Sequence, residues 1–124
     1  MAKKSKNPRV PRTMAENTLT TSEFFSGIRS YLRRLWLFKS ENRKAVLKKQ
    51  YSATLKKYQC EMCNKMFYKK DVEVDHINPI GSLKTFSDIE IFYERLFCDI
   101  NNLRVLCKET CHRQVTAAER NKKS

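Results

Sequence analysis

Two close cysteine pairs, Cys60-Glu61-Met62-Cys63 and Cys107-Lys108-Glu109-Thr110-Cys111, are separated by 43 intervening residues in this chain. Tetrahedral zinc takes four thiolates from two short chelating loops of this kind. The spacing therefore assigns a structural Zn2+ to Cys60, Cys63, Cys107 and Cys111. A redox CxxC needs no second pair, and a small chain does need a staple. The fifth cysteine, Cys98, follows Leu96-Phe97 and reads as a small apolar side chain.

The chain has only two histidines, His76 directly after Asp75 and His112 directly after Cys111. Singly, each has an ordinary explanation: His76 makes a hydrogen bond in a turn, and His112 replaces one cysteine in a Cys3His zinc site. Together with Asp75 and Asn101-Asn102 they compose a hydrolytic set. It offers a carboxylate and an imidazole for a divalent ion, a second imidazole as base, and an amide to orient it. Phosphodiester hydrolysis needs those parts, and an imidazole with an unperturbed pKa of ~6.5 suits the base.

The segments that must position these residues differ in character. Residues 1–18 carry Lys3, Lys4, Lys6, Arg9 and Arg12 with Pro8 and Pro11, the composition of a flexible basic arm. Thr20 with Glu23 makes a capping signature, and Phe24, Ile28, Tyr31, Leu32, Leu35 and Trp36 recur at helical spacing, which predicts a helix over about 22–38. A second basic helix is expected from Glu41 to about Lys57. Trp36 and Phe24 are assigned to packing. From Tyr58 a cysteine knuckle runs into strand-type residues ending at Val72-Glu73-Val74-Asp75. A loop and a helix starting near Ser87-Asp88 follow, then a strand at Leu103-Arg104-Val105-Leu106 and a last helix from about Glu109 to Lys122. The expected organisation is thus an arm (1–18), a basic helical region (19–57) and a metal-bearing domain (58–124).

At 124 residues the chain is too short for two large cores. Its net charge of +13 is concentrated at one end: residues 1–59 hold 15 lysines and arginines against 3 acids, and residues 60–124 hold 11 against 10. Such a field points to a polyanion, with affinity that falls steeply with salt. No signal-like apolar segment opens the sequence and no run is long enough to span a bilayer, so a cytoplasmic protein with reduced thiols and no membrane partner is expected.

Four stretches resemble the HNH endonucleases, especially small phage-encoded ones with paired cysteines. They are Tyr58–Cys63 with Phe67; Val72-Glu73-Val74-Asp75-His76-Ile77 with Pro79; Phe97 to Cys107 through Asn101-Asn102; and Cys111-His112. Ile28 to Leu35 is also similar to the N-terminal helix of those proteins. The resemblance implies an α+β protein with a ββα-metal, treble-clef-like nuclease core and a zinc knuckle, preceded by the basic helical region. By that pattern His76 is the general base, Asp75 and His112 bind a catalytic Mg2+, Mn2+ or Ni2+, and Asn102, with Asn101 as fallback, fixes the His76 loop. The chain departs from the pattern in the three-residue gap between Cys107 and Cys111, and in Val115, where relatives carry Lys or His.

The expected function is a metal-dependent DNA endonuclease or nickase. Its phosphate contacts are expected from Arg29, Arg33, Arg34, Lys48, Lys49, Arg104, Lys108, Arg113 and Arg120. The alternatives are a non-catalytic zinc-dependent DNA-binding module and an accessory subunit of a phage DNA-packaging machine, in host cytoplasm. A homodimer through residues 22–57 is a further expectation.

Overall fold

The computed structural model describes residues 10–123. The expected arm residues Lys3, Lys4, Lys6 and Arg9 lie outside that range. The described end of the arm does not float. Met14 and Leu19 exchange backbone hydrogen bonds of 3.0 and 3.1 Å across a loop whose Ala15, Glu16 and Asn17 take positive φ. Met14 packs against the core, and this apolar anchor overrides the polar composition around it.

Helix α1 (Thr21–Lys39) starts at a capping box: Glu23 N–H donates to Thr20 Oγ1 (3.1 Å), and Thr20 N–H donates to the Glu23 carboxylate (2.9 Å). Ser40 ends α1 and caps α2 (Glu41–Lys49), accepting from Arg43 N–H at 3.1 Å. The expected continuation of this helix to Lys57 is not what forms. Residues 51–59 make a hairpin of β1 (Tyr51–Ser52) and β2 (Lys57–Gln59), closed by Lys56 at φ 56°. Tyr51 and Tyr58 are cross-strand partners with ring centroids 5.0 Å apart, an interaction a helix would forfeit.

Strand β3 (Met66–Phe67) pairs antiparallel with β2 on the far side of the cysteine knuckle. A 3-10 turn at Lys69–Asp71 leads into β4 (Val72–His76). Helix α3 (Phe86–Leu96) is set by a second capping box, Thr85 with Asp88. After a 3-10 turn at Ile100–Asn102 comes β5 (Leu103–Cys107), antiparallel to β4 with Asp75 opposite Arg104 and His76 opposite Leu103. The last helix, α4 (Arg113–Lys123), begins later than expected because Lys108–His112 form a π-helical turn. The molecule is α+β, with two small antiparallel sheets and four α-helices among the described residues. None of those helices is long and apolar enough to cross a membrane.

Period-two alternation divides β4. Val72 and Val74 join the main core, and His76, also buried, follows their register, whereas Glu73 and Asp75 are offset by one residue and half-buried. The core takes Phe25 and Trp36 from α1, Val46 and Leu47 from α2, Phe92 and Leu96 from α3, and Leu103 and Val105 from β5. The basic helical region and the strands therefore share one interior. A second cluster gathers Cys60, Leu106, Cys107 and Cys111, with Phe67 and Val115 against it. The departure at Val115 thus has a packing reason.

Phe92 is fully buried between these layers. Phe92→Ala is expected to cost about 3–5 kcal/mol, read as a fall in the urea midpoint at unchanged slope. A loss below about 1 kcal/mol would contradict this packing.

Candidate metal centre and adjoining polar site

The knuckle is built by backbone geometry at the end of β2. Cys60 N–H donates to the Lys65 carbonyl (3.0 Å), Asn64 N–H donates to the Cys60 carbonyl (2.9 Å), and Asn64 takes a positive φ of 62°. Glu61 fastens it to β5 twice. Its N–H donates to the Val105 carbonyl at 2.8 Å, and its carboxylate accepts from Val105 N–H at 2.6 Å. The second pair comes from the end of β5 and the π turn. The extra residue between Cys107 and Cys111 is taken up by that wider turn, in which Cys111 N–H donates to Cys107 Sγ at 3.4 Å.

All four sulfurs lie within 4.8 Å of one another, so Cys60, Cys63, Cys107 and Cys111 are positioned to hold a metal ion. In a tetrahedral zinc–thiolate site, with bonds of about 2.3 Å, the sulfurs sit about 3.8 Å apart, close to this arrangement. The thiol chemistry agrees. Burial resists ionisation of Cys60, but N–H donors of Cys63, Cys107 and Met62 bring its pKa down to about 7. Cys111 is pushed up to about 12, first by burial and then by hydrogen bonding to the neighbouring thiols and the charge on Cys60. Four crowded sulfurs cannot all carry charge unaided, and a divalent cation removes that conflict. His112 is not part of this group: its Nε2 points to carboxylates instead.

Those carboxylates are on β4. His112 Nε2 lies 3.4 Å from Glu73 Oε2 and 3.8 Å from Asp75 Oδ1. Asp75 divides its oxygens, since Oδ2 accepts from Arg104 Nε at 3.1 Å while Oδ1 faces His112. Lys108 Nζ is 3.9 Å from Glu73. Two side chains expected on phosphate, Arg104 and Lys108, are thus spent at least partly on acids of the protein. The sequence reading missed Glu73, whose signal was its place two residues before Asp75 on the same strand face.

His76 follows the other register. Its ring packs on Trp36, centroids 4.7 Å apart, and its Nε2 lies 2.9 Å from the Leu96 carbonyl. A carbonyl only accepts, so Nε2 carries the hydrogen and Nδ1 is the bare, basic nitrogen. Burial pushes the ring's pKa below the usual imidazole range and Arg33 pushes it further down, outweighing the upward pull of the Leu96 carbonyl and Asp75. Asn102 holds the loop that follows: its Oδ1 accepts from Asn78 N–H at 2.9 Å and its carbonyl from Ile77 N–H at 2.8 Å. Asn101 makes no such bond, its N–H going to Asp99. Trp36 and the Leu96 carbonyl were not legible as partners of His76, because neither neighbours it in sequence.

The remaining cations are dispersed. Arg33 is near enough to His76 and Glu73 for their charges to interact. Arg29 lies over the Phe92 ring and Arg34 over Tyr31. Arg113 pairs with Glu109 at 3.7 Å, and Arg120, Lys48 and Lys49 are exposed. No family model matches the chain, and neither does any curated protein or solved structure.

Two outcomes follow from this geometry. Protein prepared with Zn2+ is expected to hold one ion on the four cysteines. Its removal by a chelator should collapse the far-UV signature of β3 to the π turn, since such sites contribute about 10–16 kcal/mol of apparent free energy; an unchanged spectrum after complete removal would refute the role. The His76 ring, followed by NMR, should titrate below the ordinary ~6.5. Its contribution to stability is then complete above about 6.5 and is lost as pH falls toward the folded value. A midpoint at or above 6.5 would contradict its burial.

Proposed function

We propose that the chain is a metal-dependent DNA endonuclease or nickase of the HNH type, with zinc on the four cysteines as staple and a ββα-metal core formed by β4, β5 and α4. The observation that carries this reading is the meeting of Asp75 Oδ1 with His112 Nε2, 3.8 Å apart, at the end of the strand that also bears His76. Two donors in adjacent positions of an octahedral ion with bonds of about 2.1 Å lie about 3 Å apart, so a small rotation of either side chain seats both. The donor set fits Mg2+, Mn2+ or Ni2+, with Glu73 beside it.

When bound, such an ion stabilises the phosphoryl and leaving-group oxygens. The chain's own residues supply the rest. His76, neutral near pH 7 with Nδ1 bare, takes a proton from water, and its Nε2 bond to Leu96 keeps the tautomer fixed. Asn102 fixes the loop that begins at the base. Arg104 orients Asp75, leaving one oxygen toward His112. His76 and Asp75 leave β4 in opposite registers, which suits an in-line displacement, where the entering and leaving oxygens lie on opposite sides of phosphorus.

One observation favours the rival reading, DNA binding without cleavage: His76 is 8% exposed, beneath Trp36. Catalysis then requires DNA to displace or approach past that ring. Plasmid nicking by zinc-loaded protein separates the readings. Nicking is expected on addition of Mg2+, Mn2+ or Ni2+, falling by about 10²–10⁴-fold in His76→Ala that keeps its zinc. DNA binding with no cleavage under any of the three ions, or full cleavage by His76→Ala, overturns the proposal.

A further inference from the structure

Between the end of α1, α2 and the β1–β2 hairpin lies a groove of about 580 Å3, away from the cysteines and lined by neither Asp75 nor His112. Four cations line it, Arg43, Lys44, Lys48 and Lys69, and no acid does. Its aromatic part is Phe38 and the cross-strand pair Tyr51 and Tyr58, whose rings are tilted at 50° to each other. Tyr51 remains 43% exposed although it belongs to a strand. Arg43 is partly occupied, its guanidinium over Trp36 and its Nη1 donating to the Leu37 carbonyl. Among the described residues Lys44 forms one ion pair, a long contact of 3.7 Å to an exposed Glu41. Lys48 and Lys69 are exposed and form no ion pair among the described residues.

We propose that this groove binds a single DNA strand, with an unpaired base stacked on Tyr51 and Tyr58 and its flanking phosphates on Lys44, Lys48 and Lys69. Charge complementarity selects an anion. The tyrosines select one that carries flat rings, because an acidic peptide would use the lysines and leave the aromatic faces unused. Size and access select a single strand. The volume is that of a ligand pocket holding a nucleotide or two, and a base within a duplex keeps both faces in its own stack. Lys69 lies on the turn entering β4, and Arg43 is within electrostatic reach of Glu73. The inference goes beyond the nuclease reading and does not need it, because binding is measured without cleavage.

The test uses the full zinc-loaded chain without added Mg2+, and the anisotropy of a labelled oligothymidylate of about 12 nucleotides. Tyr51→Phe should bind as wild type, and Tyr51→Ala should bind the oligothymidylate about tenfold more weakly or worse. An abasic strand of equal length should not distinguish Tyr51→Ala from wild type. Changing Lys44, Lys48 and Lys69 together to Gln, all at exposed positions, should make the slope of log affinity against log salt shallower by about 2, at about 0.7 per phosphate. Equal affinity of Tyr51→Ala and Tyr51→Phe would overturn the proposal. So would a polyglutamate of matched charge competing as well as the oligothymidylate, or a duplex losing as much as the single strand in Tyr51→Ala. Loss of plasmid nicking with these binding results intact would sink the nuclease reading alone.

Discussion

The meeting of His112 with the acids of β4 depends on the convergence of four thiols. The knuckle after β2 and the turn after β5 are distant in sequence, and their closure must overcome the entropy of the loop between them. The thiol cluster, with Leu106 beneath it, is small and separate from the main core. The four sulfurs are positioned to share a metal ion, and a cation bound there would supply an interaction strong enough to hold the cluster. His112 directly follows the fourth cysteine, so the same closure brings its imidazole to Glu73 and Asp75.

The main core imposes the second constraint. Helices α1 and α2 carry eight lysines and arginines against two acids, yet they bury Phe25, Trp36, Val46 and Leu47 in the core they share with β4 and β5. The region expected to grip a polyanion is therefore part of the scaffold under the polar site. Trp36 makes the connection concrete: one face of the ring environment takes His76, and Arg43 stacks over the indole. A change in how α1 sits is felt at the histidine.

Much of this was readable from residue types. The two cysteine pairs, the capping box at Thr20 and the strand alternation around Asp75 are local patterns, and each appears where the spacing placed it. The failures were also local in origin. Basic, alternately apolar residues 50–57 suit a helix as well as a hairpin, and the tyrosine pair that decides for the hairpin forms only when both strands are present. Residues 14–19 look polar and loose until Met14 is given a core to enter.

The sequence by itself determined which groups are available: four thiols in two chelating pairs, two imidazoles, the Asp75 carboxylate, the Asn102 amide and a strong positive charge toward one end. Only the tertiary structure decided which atoms meet. It put Arg104 on one oxygen of Asp75 and His112 near the other, brought in Glu73, and bonded His76 Nε2 to the carbonyl of Leu96 under Trp36. The reason is physical. Spacing within one element fixes a periodicity and a face, whereas the partner across a gap is chosen by how α1, α3 and the π turn pack onto two strands, and no local pattern encodes that.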